Sequence, residues 1–402
     1  MARLMLTNAN VLDGVHAAVP GRTIVIEGER IAAVDTQRPI QVAPGDTVVD
    51  LAGRTVMPGM ATCHFHSTYH ELGATPAPYG SEHPPAYMAL QSHVNLMKAL
   101  RCGYTTVVGA GAGQDVEPGV KDAIEKGLVP GPRFVPSGRE LSTTGHANDA
   151  VPWYWQMPAS GAVRICDGPE GFRLGVREQV KRGAEIIKLF VTGGHGVPAP
   201  KARIEMTTDE LAAAIDAAHE KGVLIRGHLA NKKAIMLAIE LGIDIVDHCD
   251  DMDDDVIAAC VAMGTFVVPS IYFPKVFEKF FPDNKAALAH MYEVLPKAEL
   301  AGVRLLLGDD YGAMNFPHGA YGGELHSYVE DAGIEPLAVL RWATVNGAEL
   351  LGRSSDLGTL EAGKLADLLV LDADPSINIG ALADTDPIAV LKAGEVVAGS
   401  LP

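Results

Sequence analysis

The chain has 402 residues, 48% of them apolar and 20% charged, and a formal net charge of −18. Single hydrophobic cores stop growing near roughly 250–300 residues, so a large domain accompanied by a smaller one is expected. The acidic balance argues against partners that demand basic patches, namely nucleic acid and anionic lipid. No apolar run approaches the ~20 residues of a membrane helix. Met1-Ala2-Arg3-Leu4-Met5-Leu6 enters strand-like sequence directly, so no leader peptide is expected. Cys63, Cys102, Cys166, Cys249 and Cys260 show no CxxC spacing and read as reduced thiols of a cytoplasmic protein.

Residues 1–55 read as short strands between turns: Arg3–Asn8, Thr23–Ile26, Ile31–Val34 and Thr47–Leu51. The other end is similar, with Leu368–Leu371, Ile388–Ala393 and a hairpin turn at Lys392-Ala393-Gly394-Glu395. Neither end carries enough apolar residues to fold alone. The economical arrangement is one small β-sandwich built from residues 1–55 plus 355–402.

Between them, over 56–354, strand, loop and helix alternate. The strand candidates are Val56–Ala61, Thr105–Val108, Arg133–Ser137, Ile186–Val191, Leu224–Gly227, Ile245–Asp247, Thr265–Ser270 and Arg304–Leu307. Helical periodicity marks Thr208–Lys221, Asn231–Leu241 and Glu335–Leu351. The first has a capping signal in Thr207-Thr208-Asp209-Glu210, and the last is entered through Glu335-Pro336. Eight such units match an α/β fold of the (β/α)8 TIM-barrel type. A doubly wound open sheet is the alternative, but no GxGxxG follows its first strand.

Active sites of such barrels lie at the C-terminal strand ends. The first strand delivers His64-Phe65-His66, whose alternation sends both imidazoles to one side. The fourth carries Lys188 inside an apolar run, costly if charged and unpaired, so a neutral or modified amine is expected. The fifth ends at His228, the sixth at His248, and the eighth at Gly308-Asp309-Asp310. Each alone reads more readily as a structural residue or a turn. Four histidines, a lysine and an aspartate at one end of separate strands point to a metal site.

These residues resemble the binuclear branch of the amidohydrolase superfamily, the imidazolonepropionase- and prolidase-like group. The resemblance spans the chain: Met57-Pro58-Gly59, Gly127-Leu128-Val129-Pro130-Gly131-Pro132-Arg133 and the tail Gly358-Thr359-Leu360-Glu361-Ala362-Gly363-Lys364-Leu365-Ala366-Asp367-Leu368 all match. It implies two divalent ions, with His64 and His66 on one and His228 and His248 on the other. Zinc suits this donor set, and manganese or cobalt could occupy it. It further implies an N-carboxylated Lys188 bridging the ions. Asp310 is implied as both ligand and proton shuttle. Members show Gly-Thr-Asp where this chain has two aspartates; aligning the glycines selects Asp310, with Asp309 the alternative.

The implied reaction is hydrolysis of an amide-type C–N bond in a small molecule by a hydroxide bridging the ions. The substrate would be an N-acyl amino acid, a dipeptide or a cyclic amide. An ester, lactone or carbamate hydrolase using the same site is the alternative. Deamination fits less well, because deaminating relatives generally lack the bridging lysine. A non-catalytic scaffold would be expected to have lost ligands. The relatives also imply a homo-oligomer. His146 would hold the carbonyl or another substrate group, and His195 could do likewise, whereas His70 reads as structural. Trp153-Tyr154-Trp155 and the Phe316–Tyr321 stretch would supply an apolar pocket. Lys201, Arg203 and Arg139 are candidate carboxylate partners. Ala230 stands where many peptidase-like relatives have an aromatic residue or histidine, which weakens a dipeptidase reading.

Overall fold

A computed structural model describes every residue except Met1, 35–40, 71–76, Tyr79, Ala147, Ala150, 156–160, 281–283, Asp309 and 313–315. The chain divides into two compact units. One comprises Met1–Thr62, Met97–Thr106 and Tyr321–Pro402; the other comprises Cys63–Leu96 and Val107–Ala320.

In the first unit both chain ends enter one eight-stranded sheet. Its N-terminal strands are β1 (Arg3–Val11), β2 (Val19–Glu27), β3 (Arg30–Val34), β4 (Thr47–Asp50) and β5 (Thr55–Pro58). β1 pairs with β4 through Leu4–Thr7 and with β5 through Asn10 and Val11. The change of partner falls at Asn8, whose φ of 53° turns the strand. The inward residues of these strands pack with Leu360, Leu368, Val370, Ala389 and Leu391 from the far end of the chain. That shared core is why neither end suffices alone. The tail signature crosses the edge of β3, where Gly363 N–H donates to Ile31 O and Ala366 N–H to Glu29 O. The stretch 335–351 is helical but not uniformly α: Pro336–Arg341 and Gly347–Leu350 flank a π-turn at Trp342–Asn346.

The next strands are β6 (Met60–Phe65), β7 (Tyr104–Gly109) and β8 (Arg133–Val135), which form a three-stranded sheet. The expected first strand is thus interrupted at Gly59 and resumes to carry His64. Two short strands that periodicity missed follow, β9 (Glu140–Ser142) and β10 (Val163–Ile165). They join β11 (Ile186–Phe190), β12 (Leu224–Leu229), β13 (Ile245–His248), β14 (Phe266–Val268) and β15 (Arg304–Leu305) in a seven-stranded sheet of order β10-β9-β11-β12-β13-β14-β15. β16 (Leu368–Leu371), β17 (Ala389–Lys392) and β18 (Glu395–Gly399) complete the terminal sheet. The hairpin turn between the last two has left-handed Ala393 and Gly394, as its sequence predicts.

The ladders from β9 to β15 are all parallel, and β11, β13 and β14 are buried along their whole length, as strands covered on both faces must be. Backbone bonds continue beyond the ladders. Ser137 bridges Ile186, Cys63 N–H donates to Leu307 O at 2.7 Å, and Asp310 N–H donates to His64 O at 3.3 Å. The helices follow the predicted pattern. Thr208–Glu220 opens with the full capping box, in which Thr207 Oγ1 accepts from Glu210 N–H and Glu210 accepts from Thr207 N–H. Among the described residues no helix is long and apolar enough to cross a membrane.

Candidate functional site

Successive strand ends of the second unit carry the polar residues of the site. His64 is the penultimate residue of β6, and His66 follows directly after the strand. Their Nε2 atoms lie 3.2 Å apart, and Asp310 Oδ1 approaches them at 3.6 and 3.1 Å respectively. The two imidazoles are almost fully buried, while 15% of the Asp310 side chain is exposed. Gly308 makes this approach sterically feasible. A Cβ there would lie 2.6 Å from His64 Cβ and 2.7 Å from His64 N. His66 is oriented from behind by Gly111 O, 2.9 Å from its Nδ1, and its ring stacks on Tyr69 at 4.0 Å.

His248 ends β13, with its ring centroid 5.1 Å from that of His64 and 4.5 Å from that of His228. His195, from the loop after β11, stacks on His248 at 3.8 Å. Potential donor atoms of His64, His66 and Asp310 lie within 4.8 Å of one another, and so do those of His195, His248 and Asp310. His228 belongs to neither grouping, because its Nε2 lies 3.0 Å from Gly194 O. His195, His248, Ser270 and Asp310 all have left-handed backbones, with φ between 48° and 72°. Non-glycine residues held this way cost of order 1–3 kcal/mol each, and they gather where side chains must be aimed.

Lys188 is paired. Its Nζ lies 2.5 Å from Asp247 Oδ2, and the same carboxylate is gripped by the Arg226 guanidinium. The expectation of a neutral or modified amine assumed that no partner was at hand; the neighbouring strands supply one. Arg226, fully buried, also donates to Cys63 O and Gly109 O. Asp247 Oδ1 stands 3.5 Å from His64 Nδ1, which places this charged triad directly behind the imidazoles.

His146 is buried, with Asn148 N–H donating to its Nδ1 at 3.3 Å and no partner for its Nε2. Its ring is 5.5 Å from Phe190, which in turn stacks on His228 at 5.1 Å. His70 is half-buried and joins neither donor grouping. Beside His195 lies a cavity of about 310 Å³, walled by Val197, Pro198, Ala199, Lys201 and Asp250. The aromatic residues expected to supply an apolar pocket do not line this cavity, which belongs to other loops. Trp153, Tyr154 and Trp155 are 91%, 63% and 46% exposed, and Phe316 is packed on Tyr311 at 4.0 Å. All three candidate carboxylate partners are paired within the chain, Arg139 with Asp115, Arg203 with Glu205 and Lys201 with Asp251 at 2.6 Å; Lys201 is the one that also lines the cavity.

The sequence profile of the Amidohydrolase family matches residues 55–399. The chain belongs to the amidohydrolase family. Ochratoxinase of Aspergillus niger is 27% identical over 374 residues, covering 86% of this chain and 76% of that protein. A solved prolidase complexed with N-methylphosphonate-L-proline is 31% identical with a TM-score of 0.86, covering 99% of this chain and 100% of that one. A solved Xaa-Pro dipeptidase with methionine bound in its active site is 26% identical, with a TM-score of 0.88 and coverage of 99% and 100%. This amidohydrolase is therefore an enzyme, a hydrolase of amide-type C–N bonds with a prolidase-like architecture.

The family generally employs divalent metals, and the donors of this amidohydrolase suit them. Nδ1 of His64 and of His248 are buried without a hydrogen-bond partner. Burial, reinforced by the nearby charges of Lys188 and Arg226, holds His64 well below its usual imidazole pKa. Burial and neighbouring imidazoles do the same to His248, and burial with Lys188 brings His228 down to about 3. These rings are neutral at physiological pH, the form in which imidazole binds a metal. Burial alone would raise the Asp310 carboxyl. The hydrogen bond from His66 and surrounding positive charge outweigh it, so the group is ionised. Imidazole nitrogens converging on a carboxylate form a site that a divalent cation completes.

Sequence reasoning missed Arg226, Asp247 and Asp250. The first two could have been noticed as charges inside otherwise apolar strands. Asp310, expected to act as ligand and proton shuttle, lies beside His64 and His66; Asp309 lies outside the described residues.

Proposed function

We propose that the enzyme is a binuclear metal-dependent hydrolase of small amides: N-acyl amino acids, dipeptides or cyclic amides. The observation that carries this reading is the approach of buried His64 and His66 to the partly exposed Asp310, side chains from opposite ends of the barrel segment. His64, His66 and Asp310 would hold one ion. His248, His228 and an N-carboxylated Lys188 would hold the other, with Arg226 retaining Asp247 once the lysine changes charge. Zinc fits imidazole and oxygen donors best. When bound, the ions supply a water-derived nucleophile at neutral pH and polarise the substrate carbonyl.

Asp310 accepts the proton of the attacking water and returns it to the leaving nitrogen, a transfer that its ionised state and partial exposure suit. His146, buried and held below its usual imidazole pKa by that burial, would hold the carbonyl or a neighbouring substrate group. The cavity beside His195 would take the apolar part of the substrate, with Lys201 near a carboxylate. The backbone bonds from Ser137 to Ile186 and from Cys63 to Leu307 support a closed (β/α)8 barrel around these groups. The relatives named as prolidase, Xaa-Pro dipeptidase and ochratoxinase support a small substrate with an amide or peptide bond.

The test is a panel of N-acyl amino acids, dipeptides, cyclic amides and matched esters, assayed before chelation, after it and after zinc is restored. Amide cleavage that disappears on chelation and returns with zinc is expected. Turnover confined to esters, or amide turnover indifferent to chelation, would overturn the reading.

A further inference from the structure

His195 carries the inference. It follows the left-handed Gly194, adopts φ 48° itself and is 7% exposed. Its Nδ1 lies 2.8 Å from Oδ1 of Asp250, a carboxylate that is itself 4% exposed. The other ring nitrogen of His195 has only a longer contact, 3.2 Å to Ser270 O. The His195 ring lies against that of His248 at 3.8 Å and 21°, and the His248 Nδ1 is buried without a hydrogen-bond partner. Donors of His195, His248 and Asp310 fall within 4.8 Å of one another, and Asp310 also completes the grouping with His64 and His66. Meanwhile Lys188 is turned to Asp247 and His228 to Gly194 O.

We propose that His195, oriented by Asp250, is an additional ligand of the metal centre, at the ion held by His248 and next to Asp310. The proposal rests on the metal-centre reading above and adds to it a residue that the resemblance does not assign. A carboxylate that accepts a hydrogen bond from one imidazole N–H fixes the tautomer, aims the ring and makes the opposite nitrogen a better metal ligand. Asp250 does this to His195. The nitrogen that Asp250 does not hold would exchange its contact with Ser270 O for the cation. Left-handed backbones at His195, His248 and Asp310, each costing of order 1–3 kcal/mol, place strain at these residues, as at neighbouring Cys249 and Ser270.

Cobalt(II) titration of the metal-stripped full-length protein separates the outcomes, read as bound equivalents and as the visible absorption of the bound ion. His195→Gln should weaken the second equivalent by at least about 10–100-fold and shift its cobalt spectrum. Asp250→Asn, which keeps the shape of the side chain, should weaken it by about 10–100-fold, the usual effect of losing a carboxylate behind a ligating histidine. Thermal unfolding of the metal-free variants checks that they fold; if His195→Gln does not, Asp250→Asn decides. Two equivalents bound by both folded variants with wild-type affinity and spectrum would overturn the proposal, even if the Michaelis constant changed. Failure of the wild type to bind cobalt would instead sink the metal-centre reading, and the role of His195 with it.

Discussion

Asp310 is asked to do two things, to ligate and to move a proton, and a single substitution separates them. Asp310→Asn keeps an oxygen donor beside His66 but cannot accept a proton. Turnover should fall about 10²–10⁴-fold, the usual share of general acid–base catalysis, with metal content largely retained. An unchanged rate would remove Asp310 from the chemistry. A second titratable group lies deeper. Glu117 is fully buried and accepts from Ser67 Oγ at 2.6 Å and from Ser137 N–H at 2.7 Å. Burial nevertheless pushes its carboxyl up to about 7. A carboxyl raised on folding favours the native state most at low pH, and that contribution fades as pH climbs from its ordinary value near 4.5 to about 7. Glu117→Gln should abolish this slope. The stability difference between variant and wild type should therefore drift in favour of the variant across that window, by up to about 3 kcal/mol. Denaturant titrations at several pH values measure it, and a difference that does not vary with pH would contradict the assignment. The histidines and Asp310 were legible because ligand-type residues ended predicted strands. Their partners were not. Lys188 lies opposite Arg226 and His228 opposite Asp247, so which charge meets which is decided by strand register.

At the scale of elements, alternation and capping signals located the terminal strands and the helix opening at Thr208. They failed where local pattern is weak. β9 and β10 are three residues each, and the break at Gly59 falls inside a continuous apolar run. The end of β15 shows how closely one element determines another. Gly308 packs against the backbone of His64, and a side chain there would meet Val268 Cγ1 at 2.5 Å. Gly308→Ala should force the strand ends apart, costing about 1–3 kcal/mol of stability as overpacking does. It should also lower metal affinity, because the distance between His64 and Asp310 depends on that approach. Wild-type melting temperature and metal binding in the variant would show that the strand ends have slack the geometry does not suggest.

For the molecule as a whole, the sequence already contained the family likeness, because its motifs lie at both ends of the chain and at the strand ends between. The cavity was harder to foresee. Its walls come from 194–201 and from Asp250, Asn284 and Ala287, loop and helix residues with no periodicity. Substrate preference therefore depends on loop conformation more than on any motif. The account reduces to the claim that these scattered side chains hold a pair of cations. Anomalous diffraction from crystals of the zinc-loaded enzyme, collected across the zinc edge, tests it most directly. Two peaks about 3.5–4 Å apart are predicted, one among His64, His66 and Asp310 and the other against His248. A map with no peak at those imidazoles, or with zinc bound only elsewhere, would contradict it.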